Sequence, residues 1–142
     1  MWSKRWSPVF CVIFFICSAF CMTEQQLKAT SKMVRNVCQP KSKATNEAVD
    51  GMHEGIWDID QNAMCYLHCC INYMKLMNKD NTFNLETAQM QLKTLPEERK
   101  APTAACMEQC KDSIKTFEDK CQAAYELAKC MYDCNPKEYL IP

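Results

Sequence analysis

The chain has 142 residues, with 17 basic and 17 acidic side chains, and 12 of its residues are cysteine. This length corresponds to a single domain, and a hydrophobic core of that size benefits from covalent cross-links. Because the charges balance and form no basic stripe, we expect neither nucleic acid nor an anionic membrane surface as a partner.

The first 21 residues have the pattern of a secretory signal peptide. Lys4 and Arg5 precede an almost unbroken apolar run that ends at Phe20, and small residues at its end fit a cleavage site. The run is short for a membrane span, so an anchor or a buried helix is the less favoured interpretation. We therefore expect secretion of residues 22–142, with cleavage after Ala19 as an alternative. These residues carry 15 basic and 17 acidic side chains, a net charge of about −2.

Residues 22–142 are predicted to be all-α. Glycine occurs only twice, and no stretch alternates apolar with polar residues long enough to form a strand. The six expected helices run from about Thr23 to Val37, Thr45 to Met52, Asp60 to Met77, Leu85 to Leu95, Thr103 to Phe117 and Lys120 to Tyr132. Pro40 and Pro96 are expected to follow helix ends, and residues 97–100 to form a turn.

Nine cysteines remain in residues 22–142, and six of them have a distinctive spacing. These six are Cys38, Cys65, Cys69, Cys110, Cys121 and Cys130, separated by 26, 3, 40, 10 and 8 residues. The shortest gap places Cys65 and Cys69 on one face of a helix, whereas the last gap places Cys121 and Cys130 on opposite sides of another. Secretion favours disulfides over a thiolate metal site, which would also need paired short spacings. Spacing alone leaves the pairing open.

A family resemblance rests on this gap pattern, on the signal peptide and on two stretches of sequence. They are Cys-Tyr-Leu-His-Cys at residues 65–69 and Asp-Cys-Asn-Pro-Lys-Glu-Tyr-Leu-Ile-Pro at residues 133–142. Together these features resemble the insect odorant-binding proteins of the six-cysteine class across essentially all of residues 22–142. The resemblance implies six helices around a hydrophobic cavity. It also implies the disulfides Cys38–Cys69, Cys65–Cys121 and Cys110–Cys130.

Three further cysteines depart from the six-cysteine pattern. Cys106 lies one helical turn before Cys110, and Cys134 lies one turn after Cys130. If the fifth and sixth helices are antiparallel, a disulfide between Cys110 and Cys130 also brings Cys106 opposite Cys134. We therefore predict a fourth disulfide, Cys106–Cys134. Cys70 is left over, and a buried free thiol is the favoured interpretation. An intermolecular link or a substitute for its neighbour in pairing stays open.

The resemblance implies a secreted carrier that reversibly binds a small hydrophobic molecule, an odorant or pheromone, and transports it through aqueous lymph to olfactory receptors. Nine of the ten methionines lie in residues 22–142, and their flexible thioethers suit an adaptable apolar pocket, although such residues are commonly plain core. The candidate ligand contacts, on the fourth and sixth helices and the C-terminal tail, are Leu85, Ala88, Met90, Leu92, Leu95, Leu127, Ala128, Met131, Tyr139, Leu140 and Ile141. Met74 and Trp57 are weaker candidates.

The sequence offers little material for catalysis. His68 beside two cysteines is similar to the catalytic helix of secreted phospholipase A2, but the cysteines follow the histidine, no aspartate adjoins it, and no glycine-rich calcium loop is present. His53 is the only other histidine, and no P-loop, dinucleotide fingerprint or paired-carboxylate motif occurs. We therefore expect no enzyme activity, no metal and no cofactor.

Two alternatives to an olfactory carrier stay open. One is a saposin-like protein that interacts with lipid, although such domains usually begin and end with closely spaced cysteine pairs and this chain begins its pattern with the lone Cys38. The other is a carrier of the same fold used outside olfaction. A homodimer is compatible with either function, and stable membrane insertion is not expected.

Overall fold

The computed structural model describes residues 21–142, and these residues form six α-helices. The helices are α1 (Glu24–Ser42), α2 (Asn46–His53), α3 (Gln61–Tyr73), α4 (Leu85–Leu92), α5 (Glu97–Cys110) and α6 (Lys120–Cys134), followed by a 3-10 turn at Pro136–Glu138. The described residues contain no strand, only one isolated bridge between Met77 and Phe83. The all-α prediction is confirmed. The predicted signal peptide, except Cys21, lies outside the described residues.

Polar side chains define where the helices begin. At α1, the Thr23 hydroxyl accepts a hydrogen bond from the backbone of Gln26, and the Gln26 side chain accepts one from the backbone of Thr23, which is a complete capping box. Four other helices begin after a residue whose side chain accepts hydrogen bonds from the first turn. These capping residues are Thr45, Asp60, Asn84 and Asp119.

Two predicted helix limits are wrong because proline was given too much weight. Helix α1 continues through Pro40 to Ser42, since a proline close to the end of a helix removes one hydrogen bond without preventing the last turn. Helix α5 begins at Glu97 rather than at Thr103, with Pro102 inside it. The charged segment predicted as a turn is therefore its first turn, where acidic side chains interact favourably with the helix dipole.

Three predicted helices end earlier in the sequence than expected. Helix α3 stops at Tyr73 because the chain turns at Lys75, whose φ of 58° is left-handed. Helix α4 stops at Leu92 and helix α5 at Cys110. The residues beyond these ends form turns and loops.

Helix α3 forms the centre of the core and packs against α1 and α6. Its inward face carries Tyr66, Leu67 and Ile71, all essentially inaccessible to solvent. The facing side of α6 presents small residues, including Ala123 and Ala124, which allow the two helices to approach closely. Full burial of a large apolar side chain contributes about 1.5–3 kcal/mol, so this layer contributes several kcal/mol to stability.

All four predicted disulfides are present. Cys38–Cys69 joins α1 to α3, and Cys65–Cys121 joins α3 to the first turn of α6. Cys110–Cys130 and Cys106–Cys134 join α5 to α6 one turn apart, as the register argument predicts. Four of the helices are thus covalently connected.

Cys70 is a free, buried thiol, as expected from its leftover position. Burial raises its pKa to about 12. The thiol therefore stays protonated near neutral pH and contributes to the core as a small hydrophobic side chain.

No helix among residues 21–142 has the length and hydropathy needed to cross a membrane.

Candidate ligand-binding site

A cavity of about 180 Å³ lies between α1, α4, α5, α6 and the C-terminal tail. Most of its surface is apolar, contributed by Met22, Leu27, Val34, Ile71, Met74, Leu76, Phe83, Leu92, Leu95, Met107, Leu127, Met131, Leu140, Ile141 and Pro142. A smaller set of polar side chains also reaches it, namely Thr30, Ser31, Gln91, Thr94, Thr103, Glu138 and Tyr139. Such a lining favours a neutral, largely apolar molecule, because apolar burial supplies the binding energy and few groups are left to compensate a charge.

The structure brings most of the sequence-predicted contacts to this cavity. The candidates that line it are Leu92, Leu95, Leu127, Met131, Tyr139, Leu140 and Ile141, together with the weaker candidate Met74. Those that do not are Leu85, Ala88, Met90, Ala128 and the weaker candidate Trp57. The division follows from how each helix is rotated about its own axis, which determines the residues that face inward.

Helix α4 shows this rotation most clearly. Met90 is 53% exposed on the outside of the helix, whereas Ala88 is fully buried in the protein interior. Leu85 faces a separate surface depression near Ile114 and Phe117. Only the end of α4 and the turn after it supply cavity contacts, through Leu92 and Leu95.

Several cavity residues were not among the sequence-predicted contacts. Helix α1 contributes Leu27 and Val34, α5 contributes Met107, and the loop before α4 contributes Phe83. The apolar spacing of α1 and α5 marks these positions as inward-facing, but it does not distinguish a cavity wall from packed core. Phe83 had no periodic signal, because it lies outside any helix.

The C-terminal tail is held against the cavity by two polar anchors. The Tyr66 hydroxyl donates a hydrogen bond to the backbone oxygen of Pro142. Arg99, in the first turn of α5, donates to the Lys137 carbonyl and to the Glu138 carboxylate, each at 3.1 Å. The same guanidinium binds the Glu24 carboxylate at the start of α1, and this hydrogen bond lowers the pKa of Glu24. Arg99 therefore connects three separate segments that enclose the cavity.

An aromatic cluster lies behind the tail. The ring of Tyr139 makes edge-to-face contacts with Trp57 at 5.7 Å, Tyr132 at 5.6 Å and His53 at 5.2 Å between centroids. Partial desolvation, assisted by the positive charge of Arg35, lowers the pKa of His53. Tyr139 thus borders both the cavity and the cluster, and it connects the ligand site to the loop that follows α2.

Most polar groups at the cavity already have protein partners. The Gln91 amide donates to the Met74 carbonyl at 2.6 Å, and the Thr94 hydroxyl donates to the Gln91 carbonyl at 2.7 Å. The hydroxyls of Thr103 and Tyr139 are buried and have no partner. Neither described histidine lines the cavity. Among residues 21–142, no group of three or more His, Cys, Asp or Glu side chains is positioned to hold a metal ion.

The chain is similar in sequence and structure to proteins named odorant-binding proteins. A profile of the PBP/GOBP family matches residues 21–133. General odorant-binding protein 72 of Anopheles gambiae is 34% identical over 117 residues, which cover 82% of this chain and 96% of that protein. The match confirms the resemblance drawn from the cysteine spacing.

Solved structures agree with the sequence matches. Odorant binding protein 4 of Chrysopa pallens superposes with a TM-score of 0.80 at 36% identity, covering 85% of this chain and 99% of that one. Odorant binding protein 5 of Apis mellifera gives a TM-score of 0.79 at 27% identity, covering 86% and 99%. From the family match, the shared fold and the cross-linked helices, the chain belongs to the PBP/GOBP family of insect odorant-binding proteins.

Proposed function

We propose that the protein is a secreted carrier that reversibly binds small hydrophobic odorants or pheromones and transports them through aqueous lymph towards olfactory receptors. Family and fold support the coarser part, a carrier of small hydrophobic ligands. The observation that carries the proposal is the apolar cavity, which is closed on one side by the C-terminal tail. The signal-peptide pattern of the first 21 residues supports secretion.

Apolar burial gives the expected strength of binding. A ligand that hides about 300 Å² of apolar surface gains roughly 7 kcal/mol at about 25 cal/mol per Å², before the entropic cost of association. Without that cost the figure corresponds to a Kd of roughly 10 μM, so apolar burial alone predicts weak binding, no tighter than micromolar. Weak binding goes with fast dissociation, and a non-covalent site has no chemical bond to break. The ligand can therefore leave the protein quickly, as a carrier requires.

Direct binding to residues 22–142 with all disulfides formed tests the carrier function. Trp57 is the only tryptophan in that segment, and its ring contacts Tyr139 at the cavity, so its fluorescence is expected to change when a small hydrophobe binds. A panel of volatile alcohols, ketones, esters and hydrocarbons supplies the ligands. If the folded protein bound none of them, the carrier function would be wrong.

Matched variants locate the binding site by calorimetry. Met131→Trp adds bulk inside the cavity, whereas Met90→Trp adds the same bulk on the exposed side of α4. Met131→Trp is expected to abolish binding and Met90→Trp to leave it unchanged. Equal affinities in both variants would place the ligand elsewhere.

Two assays separate this function from the alternatives. Liposome leakage without binding of soluble ligands would favour the saposin-like function. For the olfactory role, the protein added on the lymph side of receptor-expressing cells is expected to increase the response to a poorly soluble ligand. An unchanged response, combined with expression outside olfactory tissue, would favour a carrier with another use.

A further inference from the structure

The most unusual polar group in the cavity is the hydroxyl of Thr103. This residue lies on α5, is 1% exposed, and lines the cavity. A helical threonine commonly bonds the carbonyl of the preceding turn, but the Thr103 hydroxyl has no hydrogen-bond partner. Buried polar groups without partners are rare in folded proteins, and each one calls for an explanation. A direct explanation is a bound molecule that supplies the missing hydrogen-bond partner.

Tyr139 offers a second hydroxyl of the same kind. It is 8% exposed and lines the cavity, and its hydroxyl is also unpartnered. Burial raises the pKa of Tyr139, so the phenol remains neutral under physiological conditions and keeps its proton for donation. Contacts with the rings of Trp57 and His53 hold its orientation.

Of the other polar side chains at the cavity, Ser31 has no side-chain hydrogen bond but is partly exposed, so its hydroxyl is open to water, and the rest have partners. Gln91, Thr94 and Thr30 each donate a hydrogen bond to a backbone carbonyl. Glu138 is neutralised by Arg99 at 3.1 Å. Among the described cavity residues, the hydroxyls of Thr103 and Tyr139 are thus the two buried side-chain polar groups that lack partners. Among the described residues that line the cavity, the one charged side chain is Glu138, which is paired with Arg99, so a neutral oxygen is the group that complements the free hydroxyls.

The volume restricts the size of the ligand. An apolar cavity of about 150 Å³ accommodates benzene. The cavity in this protein measures about 180 Å³ and therefore has room for one ring with a small substituent, or for a chain of similar volume. A compound with two fused rings would have to displace side chains such as Met107 or Met131, or extend beyond the cavity.

Given the proposed carrier function, we infer that the preferred ligand is a neutral molecule of about one ring in size with a single alcohol or carbonyl oxygen, which hydrogen-bonds to Thr103. Tyr139 contributes the second unpartnered hydroxyl at the same cavity. A hydroxyl both donates and accepts, so alcohols and carbonyl compounds satisfy the same site. The apolar residues opposite, including Val34 and Leu127, enclose the rest of the molecule.

A matched ligand pair tests the role of the oxygen. Acetophenone and ethylbenzene have nearly the same shape and differ in the carbonyl oxygen. Calorimetry measures the affinity of both ligands for residues 22–142 and for two variants. Thr103→Val removes the hydroxyl and keeps the branched shape, whereas Thr103→Ser keeps the hydroxyl. Thermal unfolding of each protein verifies that it is folded, and Thr103→Val is expected to be no less stable because it removes an unpartnered group.

Loss of the hydroxyl is expected to act on one ligand only. Thr103→Val should weaken acetophenone binding about tenfold and leave ethylbenzene unchanged, whereas Thr103→Ser should keep the preference. Tyr139→Phe should weaken acetophenone by about threefold. An identical affinity ratio in the unmodified protein and in Thr103→Val would overturn this inference while leaving the carrier function intact. Binding of neither ligand, nor of any other hydrophobe, would overturn both.

Discussion

Two regions of this molecule are built differently. The cross-linked core consists of α3, α6 and the ends of α1 and α5 that carry the four disulfides. The cavity wall away from these bonds consists of α1 around Leu27 and Val34, the end of α4 with the turn after it, and residues 139–142, while Met107, Leu127 and Met131 line the cavity from α5 and α6. Helix α4 contains no cysteine, and Ala88 is its one fully buried residue. The difference indicates that covalent bonds fix the shape of the scaffold, while flexible apolar side chains form the surface that meets the ligand.

Removal of a disulfide is expected to reduce stability strongly, by an amount comparable to the loss of a fully buried leucine in the core. Cys65–Cys121 closes a segment with a sequence separation of 56, and Cys106–Cys134 one of 28. Loop-closure entropy predicts a loss of about 4 kcal/mol for either double serine variant, with the longer loop costing roughly 0.6 kcal/mol more. Denaturant unfolding of the two variants measures both values.

The same two variants compare the regions by ligand affinity. Cys106 and Cys134 lie beside Met107 and close to Met131, which line the cavity, so this bridge is expected to influence binding as well as stability. Removal of Cys65–Cys121 should leave the affinity of the still-folded fraction unchanged. An equal loss of affinity in both variants would show that the two regions are not independent.

Paired leucine truncations sharpen the comparison at single residues. Leu67 is fully buried in the cross-linked core, so Leu67→Ala should cost about 2–5 kcal/mol. Leu92 borders a space that already exists, so Leu92→Ala should cost about 1 kcal/mol or less and should improve the binding of larger ligands. Denaturant unfolding and calorimetry with ligands of increasing size measure the two effects. Comparable losses of stability would contradict a division into core and wall.

The cross-linked core was largely predictable from the sequence, because the resemblance to the odorant-binding proteins implied three of its disulfides and helix geometry predicted the fourth. A disulfide requires two cysteines at a narrow range of distances, so a register argument from Cys110 and Cys130 carried over directly to Cys106 and Cys134. Helix ends were less predictable where proline intervened. Pro40 lies in the last turn of α1, where it removes only one intrahelical hydrogen bond, and local propensity does not reveal that the helix continues past it.

The cavity wall was predictable only in part. Periodicity placed Leu92 on an apolar face and the family resemblance indicated Leu127, but in the eight-residue α4 periodicity did not show that Met90 faces outward. The unpartnered hydroxyl of Thr103 depends on neighbours from other helices and has no signal in the local sequence. Sequence patterns therefore describe which faces are apolar, while tertiary packing determines which of those faces enclose a space.

Arg99 connects the start of α1 to the tail, and its removal is expected to act on the wall more than on the core. Arg99→Gln removes the ion pairs with Glu24 and Glu138, so the tail should open more often and ligand affinity should fall by about threefold. Hydrogen exchange should increase at residues 137–142 and stay unchanged in α3. Lys129→Gln, which removes an ion pair with Asp133 on α6, is the matched control. Increased exchange throughout α3 would contradict a local role.

The smallest expected effect concerns pH. Desolvation lowers the pKa of both His53 and His68 in the folded protein, so the unfolded chain takes up protons first as pH falls through about 6.5. Stability should therefore be greatest above pH 6.5 and decline below it until the lower folded-state pKa values are reached. Denaturant unfolding between pH 8 and pH 5 measures this decline, and His53→Gln and His68→Gln should each reduce it.

Ligand affinity distinguishes the two histidines. The ring of His53 contacts Tyr139 at 5.2 Å, so its protonation should weaken the packing of the tail and reduce affinity about twofold between pH 7 and pH 5. His68 lies on α3 at a surface shared with Lys120 and Cys121, away from the cavity, and should affect stability alone. Calorimetry at both pH values should show a flatter affinity profile for His53→Gln and the original profile for His68→Gln. A flatter profile for His68→Gln and the original profile for His53→Gln would contradict this. It would mean that pH changes ligand affinity through the cross-linked core and not through the cavity wall.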